Sequence, residues 1–162
     1  LHLEYFKGHH EFSEKLNQSG INDSIVKPAA IFSAFVDVME MAKKGQLLNI
    51  GKGEHMTNPI FEGDLAEICV NSIKENNATI EAGGAYTYSR ARLNEIIQHK
   101  VKPGKKLRSM PMGLVKMGLP LLKLMNKNAY DKFAFFLEVM QHDTMAPKLG
   151  KKKFEEYIGE LN

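Results

Sequence analysis

The chain has 162 residues, 43% of them hydrophobic and 25% charged, which suits a single globular unit with a real core. Its 22 Lys and Arg against 19 Asp and Glu leave a formal net charge of +3, too small and too spread out to mark a nucleic-acid binder. Cys69 is the only cysteine, which excludes an internal disulfide framework and a thiolate zinc cluster and fits a reducing, cytoplasmic setting.

Tyr5, His9, Phe12 and Leu16 recur at helical spacing, and Asn17, Ser19 and Gly20 then act as stop signals, so the first helix is predicted to end near Gly20. The opening stretch carries neither a basic leader nor a small-residue cleavage site, so Leu1 reads as lying inside a domain. In SIVKPAAIF, β-branched Ile25 and Val26 run into Pro28, predicting a strand that stops as the chain turns out of a sheet. Phe35, Val38, Met39 and Ala42 mark a second helix from Ser33, closed by Lys43, Lys44 and Gly45. A short strand through Leu47, Leu48 and Ile50 follows, then a turn at Gly51 and Gly53.

A third helix is predicted to start at Asp64, with Asp64 and Glu67 as a capping-box-like pair and Leu65, Ile68, Cys69 and Ile73 on one apolar face. Cys69 reads there as an inert core residue. Ala78 to Ala82 predicts a strand ended by Gly83 and Gly84, and Ser89 caps a helix that buries Leu93, Ile96 and Ile97. This alternation of strands and helices through residue 100 argues for an α/β fold with parallel pairing. Val101 to Arg108, basic and broken by Pro103 and Gly104, reads as an exposed connector, and Met110 to Gln141 as mainly helical. Residues 1–100 thus form the α/β part and 101–162 a mainly helical part. The stretch from Met110 to Met125 is interrupted by Lys116 and Lys123 and falls short of the roughly 20 apolar residues of a membrane span. Core packing, a lid over an apolar substrate and a membrane-surface helix are the readings it leaves open.

Four local patterns, in this order, resemble the atypical short-chain dehydrogenase/reductase group that includes the NmrA-like and related NAD(P)H-binding proteins. The first runs through Lys7, Glu11, Ser19, Gly20, Lys27 and Pro28. Asn58, Pro59, Ile60, Asp64, Leu65 and Ala66 carry the second, GGAYTYSRARLNEII the third, and Ala146, Pro147 and Gly150 the fourth. The resemblance implies the C-terminal portion of a Rossmann-like doubly wound sheet with a helical substrate-side or lid region, the missing half lying before Leu1. It also implies NADP or NAD as cofactor and a small carbonyl or related molecule as substrate. A homo-oligomer is a further expectation, because a sheet without its neighbouring strands exposes an edge.

By the same resemblance Lys7 holds the cofactor ribose and assists proton transfer, and the backbone at Pro28, Ala29, Ala30 and Ile31 lies against the nicotinamide. Phe32, Phe35 and Asn58 line the substrate pocket. The residues by themselves admit other roles: Lys7 as an exposed helix lysine near Glu4 and Glu11, the phenylalanines as core, Asn58 as a partner of loop backbone, Asp64 as a helix cap. Two features depart from the family. No glycine-rich turn suited to a pyrophosphate is present, and Leu3 stands where the catalytic tyrosine would precede Lys7 by four residues. The second departure favours a non-catalytic NAD(P) sensor resembling NmrA as the alternative. The six histidines, His2, His9, His10, His55, His99 and His142, have no spacing that completes a metal site.

Overall fold

The computed structural model describes residues 4–161. In chain order the elements are α1 (Glu4–Gln18), β1 (Ser24–Pro28), a 3-10 turn at Phe32–Phe35, α2 (Val36–Lys43), β2 (Leu48–Ile50), β3 (Met56–Thr57) and α3 (Glu62–Ser72). They continue with β4 (Ala78–Ala82), β5 (Tyr88–Ser89), α4 (Arg90–Val101), β6 (Arg108–Met110), α5 (Met112–Met125), α6 (Lys127–Met140) and α7 (Phe154–Glu160). Gly45 closes α2 at φ +74°, the left-handed geometry its place after Lys43 and Lys44 predicts.

The strands form three pairs: β1 with β4 and β2 with β6 in parallel, β3 with β5 antiparallel. β1 and β4 match over five residues, from Ser24 opposite Ala78 to Pro28 opposite Ala82. The Ala78 amide donates to the Asp23 carbonyl at 3.2 Å and the Ala29 amide to the Ala82 carbonyl at 2.9 Å. By strand alternation Ile25 and Lys27 also turn their backbone toward β4, while Ser24, Val26 and Pro28 turn theirs to the other edge. Pro28, which has no N–H, therefore sits where the ladder loses nothing.

The structure adds the two-residue strands β3 and β5, starts α2 at Val36 after a 3-10 turn and not at Ser33, and departs further from the sequence reading at β6 and α3. β6 lies at the end of the basic stretch read as a connector; its three residues are all exposed, and only backbone pairing with β2 makes it a strand. α3 begins at Glu62, two residues before Asp64, with Phe61 as an N-cap that makes no side-chain bond. Its inward side is narrower than its sequence suggests. Ser72 is buried, and its carbonyl accepts from the Ser24 hydroxyl of β1 at 2.9 Å, whereas Cys69 is exposed and Val70 and Ile73 are 64% and 78% exposed. Cys69 is thus not a core residue.

The main core gathers Phe32, Phe35, Met39 and Ala42 from one side, Tyr88, Leu93, Ile96 and Ile97 from α4 and the strand before it, and Phe154 and Ile158 from α7. Phe154 is fully buried and meets Phe32 and Phe35 edge-on, at centroid separations of 5.2 and 5.0 Å. Edge-to-face contacts place the positive rim of one ring against the negative face of the next. Phe154→Ala is expected to cost about 3–5 kcal/mol in urea-melt stability, because a ring is removed where three elements meet and the site has no simple way to collapse.

Candidate functional site

The carboxyl ends of β1 and β4 are where ligands bind in open α/β sheets, and four segments converge there. After β1 the chain is held by its own backbone. The Ile60 amide donates to the Ala30 carbonyl at 2.9 Å and the Phe32 amide to the Ile60 carbonyl at 3.0 Å, a parallel bridge between Ile31 and Ile60. After β4, the Gly83 amide donates to the Pro147 carbonyl at 2.8 Å and the Gly84 amide to the Asn58 carbonyl at 2.8 Å. The Leu149 and Gly150 amides return to the Gly83 carbonyl, both at 2.9 Å. Pro28, Ala29, Ala30 and Ile31 are half-buried at this junction, pinned in backbone yet open on one side.

Asn58 is the hub of the junction and is fully buried. Its Nδ2 donates to the carbonyls of Gly84 at 3.2 Å and Ala146 at 2.7 Å, and its Oδ1 accepts from the Ala146 amide at 3.0 Å. With both amide protons and the oxygen engaged, Asn58 is a clamp between loops and does not line a pocket. Phe32 and Phe35, 1% and 8% exposed, give their rings to the aromatic core and not to a cavity. Lys7 is exposed on α1. Leu3 lies outside the described residues.

Asp64 has a role its sequence context did not reveal. Its Oδ2 accepts from the backbone amides of Lys151 and Lys152, at 2.7 and 3.1 Å, so it anchors the tail and does not cap α3. Glu67, its supposed capping partner, pairs instead with the Lys151 ammonium at 2.7 Å. Glu62 accepts from the Ser33 amide and so holds the start of the 3-10 turn that follows Ile31.

Tyr88 is the buried tyrosine nearest in chemistry to an acid/base group. Its hydroxyl donates to Glu155 at 2.8 Å and accepts from the Phe154 amide at 3.3 Å. Burial, then the bond to Glu155, push its pKa well above the usual phenol range, so it stays a protonated structural phenol. Arg90, 6% exposed, donates to the Thr144 hydroxyl at 2.7 Å and the Val139 carbonyl at 3.4 Å, fastening α4 to the end of α6. Burial lowers its pKa and nearby Asp143 opposes that shift. Asp143 accepts from the Met56 amide at 2.8 Å and lies 3.1 Å from His55 Nδ1. These contacts, the Met56 amide first, hold its carboxyl below the usual range.

Between α5 and α6 lies a cavity of about 610 Å³, lined in part by Lys116, Lys123, Tyr130, Leu137, Glu138 and Gln141. That size falls within the range of small-molecule sites. The Lys123 ammonium stands 5.4 Å from the Tyr130 ring centroid at its wall. Among the described residues, no three His, Cys, Asp or Glu side chains gather as a metal site, and no helix is long and apolar enough to cross a membrane.

No protein-family model matches the chain, and neither does any curated protein. Solved structures do. A nucleoside-diphosphate-sugar epimerase from Staphylococcus aureus aligns with a TM-score of 0.55 at 20% identity, over 91% of this chain and 52% of its own. Human epimerase family protein SDR39U1 (isoform 2), solved with NADPH, aligns with a TM-score of 0.52 at 12% identity, over 86% of this chain and 43% of its own. The chain thus spans about half the length of these proteins or less. At such identities the likeness establishes the fold alone, a Rossmann-like α/β arrangement of helices and short, mostly parallel strands.

Two measurements test the junction. Gly84→Ala places a Cβ 1.9 Å from the Pro59 carbonyl oxygen, which is backbone and cannot swing aside, so a loss of about 2 kcal/mol or more in chemical denaturation is expected. For Asp143, a folded pKa below the unfolded one means that its stabilisation is present above the ordinary carboxylate pKa and fades as pH falls through the folded value. Asp143→Ala is therefore expected to be less stable than the parent at pH 7, the gap closing in acid; a gap independent of pH would refute the linkage.

Proposed function

We propose that this chain is the C-terminal, substrate-side portion of an NAD(P)-dependent oxidoreductase of the short-chain dehydrogenase type, acting on a small carbonyl or related substrate. One observation carries the reading. The half-buried turn Pro28–Ile31 follows a parallel strand at its carboxyl end, bears two alanines, and is pinned by backbone bonds to Ala82 and Ile60. A methyl-bearing, rigid backbone surface fits the close approach of a flat ring, which suits the nicotinamide. The bound cofactor would supply hydride transfer. This chain's residues would orient it: the Ala29–Ala30 backbone against the ring, Lys7 toward the ribose, and the α5–α6 groove on the substrate side.

The fold shared with a protein solved with NADPH supports this choice of cofactor. So does the outer edge of β1, to which Ser24, Val26 and Pro28 turn their backbone, as does a strand awaiting the rest of a doubly wound sheet. Among the described residues the turn through Gly51 and Gly53 leads into β3 and not into a helix, so it offers no pyrophosphate cradle. That part of the site would come from sequence preceding this chain. A lone, exposed Cys69 suits a reducing compartment such as the cytoplasm.

The second reading, an NAD(P) sensor resembling NmrA, rests on Leu3 at the tyrosine position and on Tyr88 being locked as a structural phenol. Titration of the whole protein with NADPH, followed by a screen of small carbonyl substrates, separates the two. Ala30→Leu is expected to weaken NADPH binding about tenfold, roughly 1.4 kcal/mol, with little change in melting temperature. Turnover that Lys7→Ala abolishes supports the enzyme, and tight binding without turnover supports the sensor. Absence of NADPH binding overturns both.

A further inference from the structure

Helix α5 is apolar on two opposite sides. Val115 is buried and Leu119 and Leu122 are half-buried, the inward side that packs with α6. On the other side Leu114, Met117, Leu121, Leu124 and Met125 are 59%, 76%, 63%, 86% and 77% exposed. Steps of three and four residues align them in one stripe, about 17 Å long at the helical rise. Single exposed apolar residues are ordinary, but a continuous row of five on a helix already apolar on its inner side marks a surface that something covers.

Charge identifies the occupant. From Lys105 to Lys127 the chain carries Lys105, Lys106, Arg108, Lys116, Lys123 and Lys127 and not one Asp or Glu, although the whole chain is nearly balanced. Three of these cations precede α5 and one opens α6, so positive charge stands before and after the stripe along the chain, while Lys116 and Lys123 lie within α5 on the side of the α6 groove. A second copy docked across a two-fold axis would set this carboxylate-free segment against itself. An anionic bilayer surface complements both features, taking Leu and Met side chains below the headgroups and cations at headgroup level. With 14 residues, α5 lies along such a surface and does not cross it.

We propose that the outward face of α5 docks the protein on an anionic membrane surface, the stripe from Leu114 to Met125 inserted and the flanking cations on the lipid phosphates. The groove on the inner side of α5 stays within the protein, so the inference stands independently of the substrate and cofactor. The test is co-sedimentation of the whole protein with vesicles of phosphatidylcholine alone and of phosphatidylcholine mixed with phosphatidylserine. Binding to the mixed vesicles is expected to be about tenfold tighter or more, and to weaken with added salt. Leu121→Ser with Leu124→Ser is expected to abolish it and Lys105→Glu with Lys106→Glu to weaken it, both with unchanged thermal melting since these side chains are exposed. Failure to sediment with either vesicle, equal binding to both, or binding untouched by the leucine substitutions overturns the proposal. So does a concentration-dependent dimer, without vesicle binding, that those substitutions dissociate, since it would assign the face to a second copy.

Discussion

One buried amide organises the junction at the carboxyl ends of β1 and β4. Asn58 spends both amide protons and its oxygen on the backbone of Gly84 and Ala146, in a place from which water is excluded. Leaving any of these bonds unmade inside the protein would cost about 1–3 kcal/mol, so the three loops can move only together. The consequences spread outward from that clamp. Gly83 and Gly84 have to be glycine because Asn58 and Pro59 occupy the space a Cβ would need. Ile60, two residues on from Asn58, then reaches the backbone of Ala30 and Phe32 and fixes the turn after β1. The surface proposed for the nicotinamide is therefore shaped by a residue that never faces it.

The tail is woven into the same end. Asp64 holds the Lys151 and Lys152 amides, Gly150 packs against Ile60 and Gly84, and Phe154 and Ile158 then enter the core beside α2 and α4. The stretch after residue 100 consequently has two characters. Its α5–α6 hairpin stands to the side, tied down at its end by Arg90 and Thr144, whereas α7 is as much a part of the α/β core as the helices before it. A hairpin attached in this way offers two surfaces, an inner groove of small-molecule size and an outer apolar stripe.

Much of the fold was legible in order along the chain. Stop signals at Gly20 and Gly45, the strand at Ala78–Ala82, the Ser89 cap, whose hydroxyl accepts from the Arg92 amide at 3.1 Å, and the buried face of α4 all stand where periodicity and turn chemistry put them. These are local effects, set by residues within one or two turns of each other. Of the site, the position of the turn after β1 was legible, since a proline at a strand end needs no partner to be recognised. The roles of Phe32, Phe35, Asn58 and Asp64 were not. Each depends on a partner 25 or more residues away, such as Ala146 for Asn58 and Lys151 for Asp64, and no local pattern encodes such a contact.

The sequence by itself thus determined the order of the longer helices and strands through residue 100, the α/β class, and the lack of a glycine-rich turn, because each rests on short-range propensity or on the presence of a residue type. Only the tertiary structure decided which apolar residues are inside. It buried Phe154 and left Cys69, Ile73 and the α5 stripe in water, since burial depends on which faces the packed elements happen to cover. It likewise turned Asn58 and Asp64 from candidate ligand and cap into the ties that hold the junction together, because a hydrogen bond between distant segments exists only once the chain has folded.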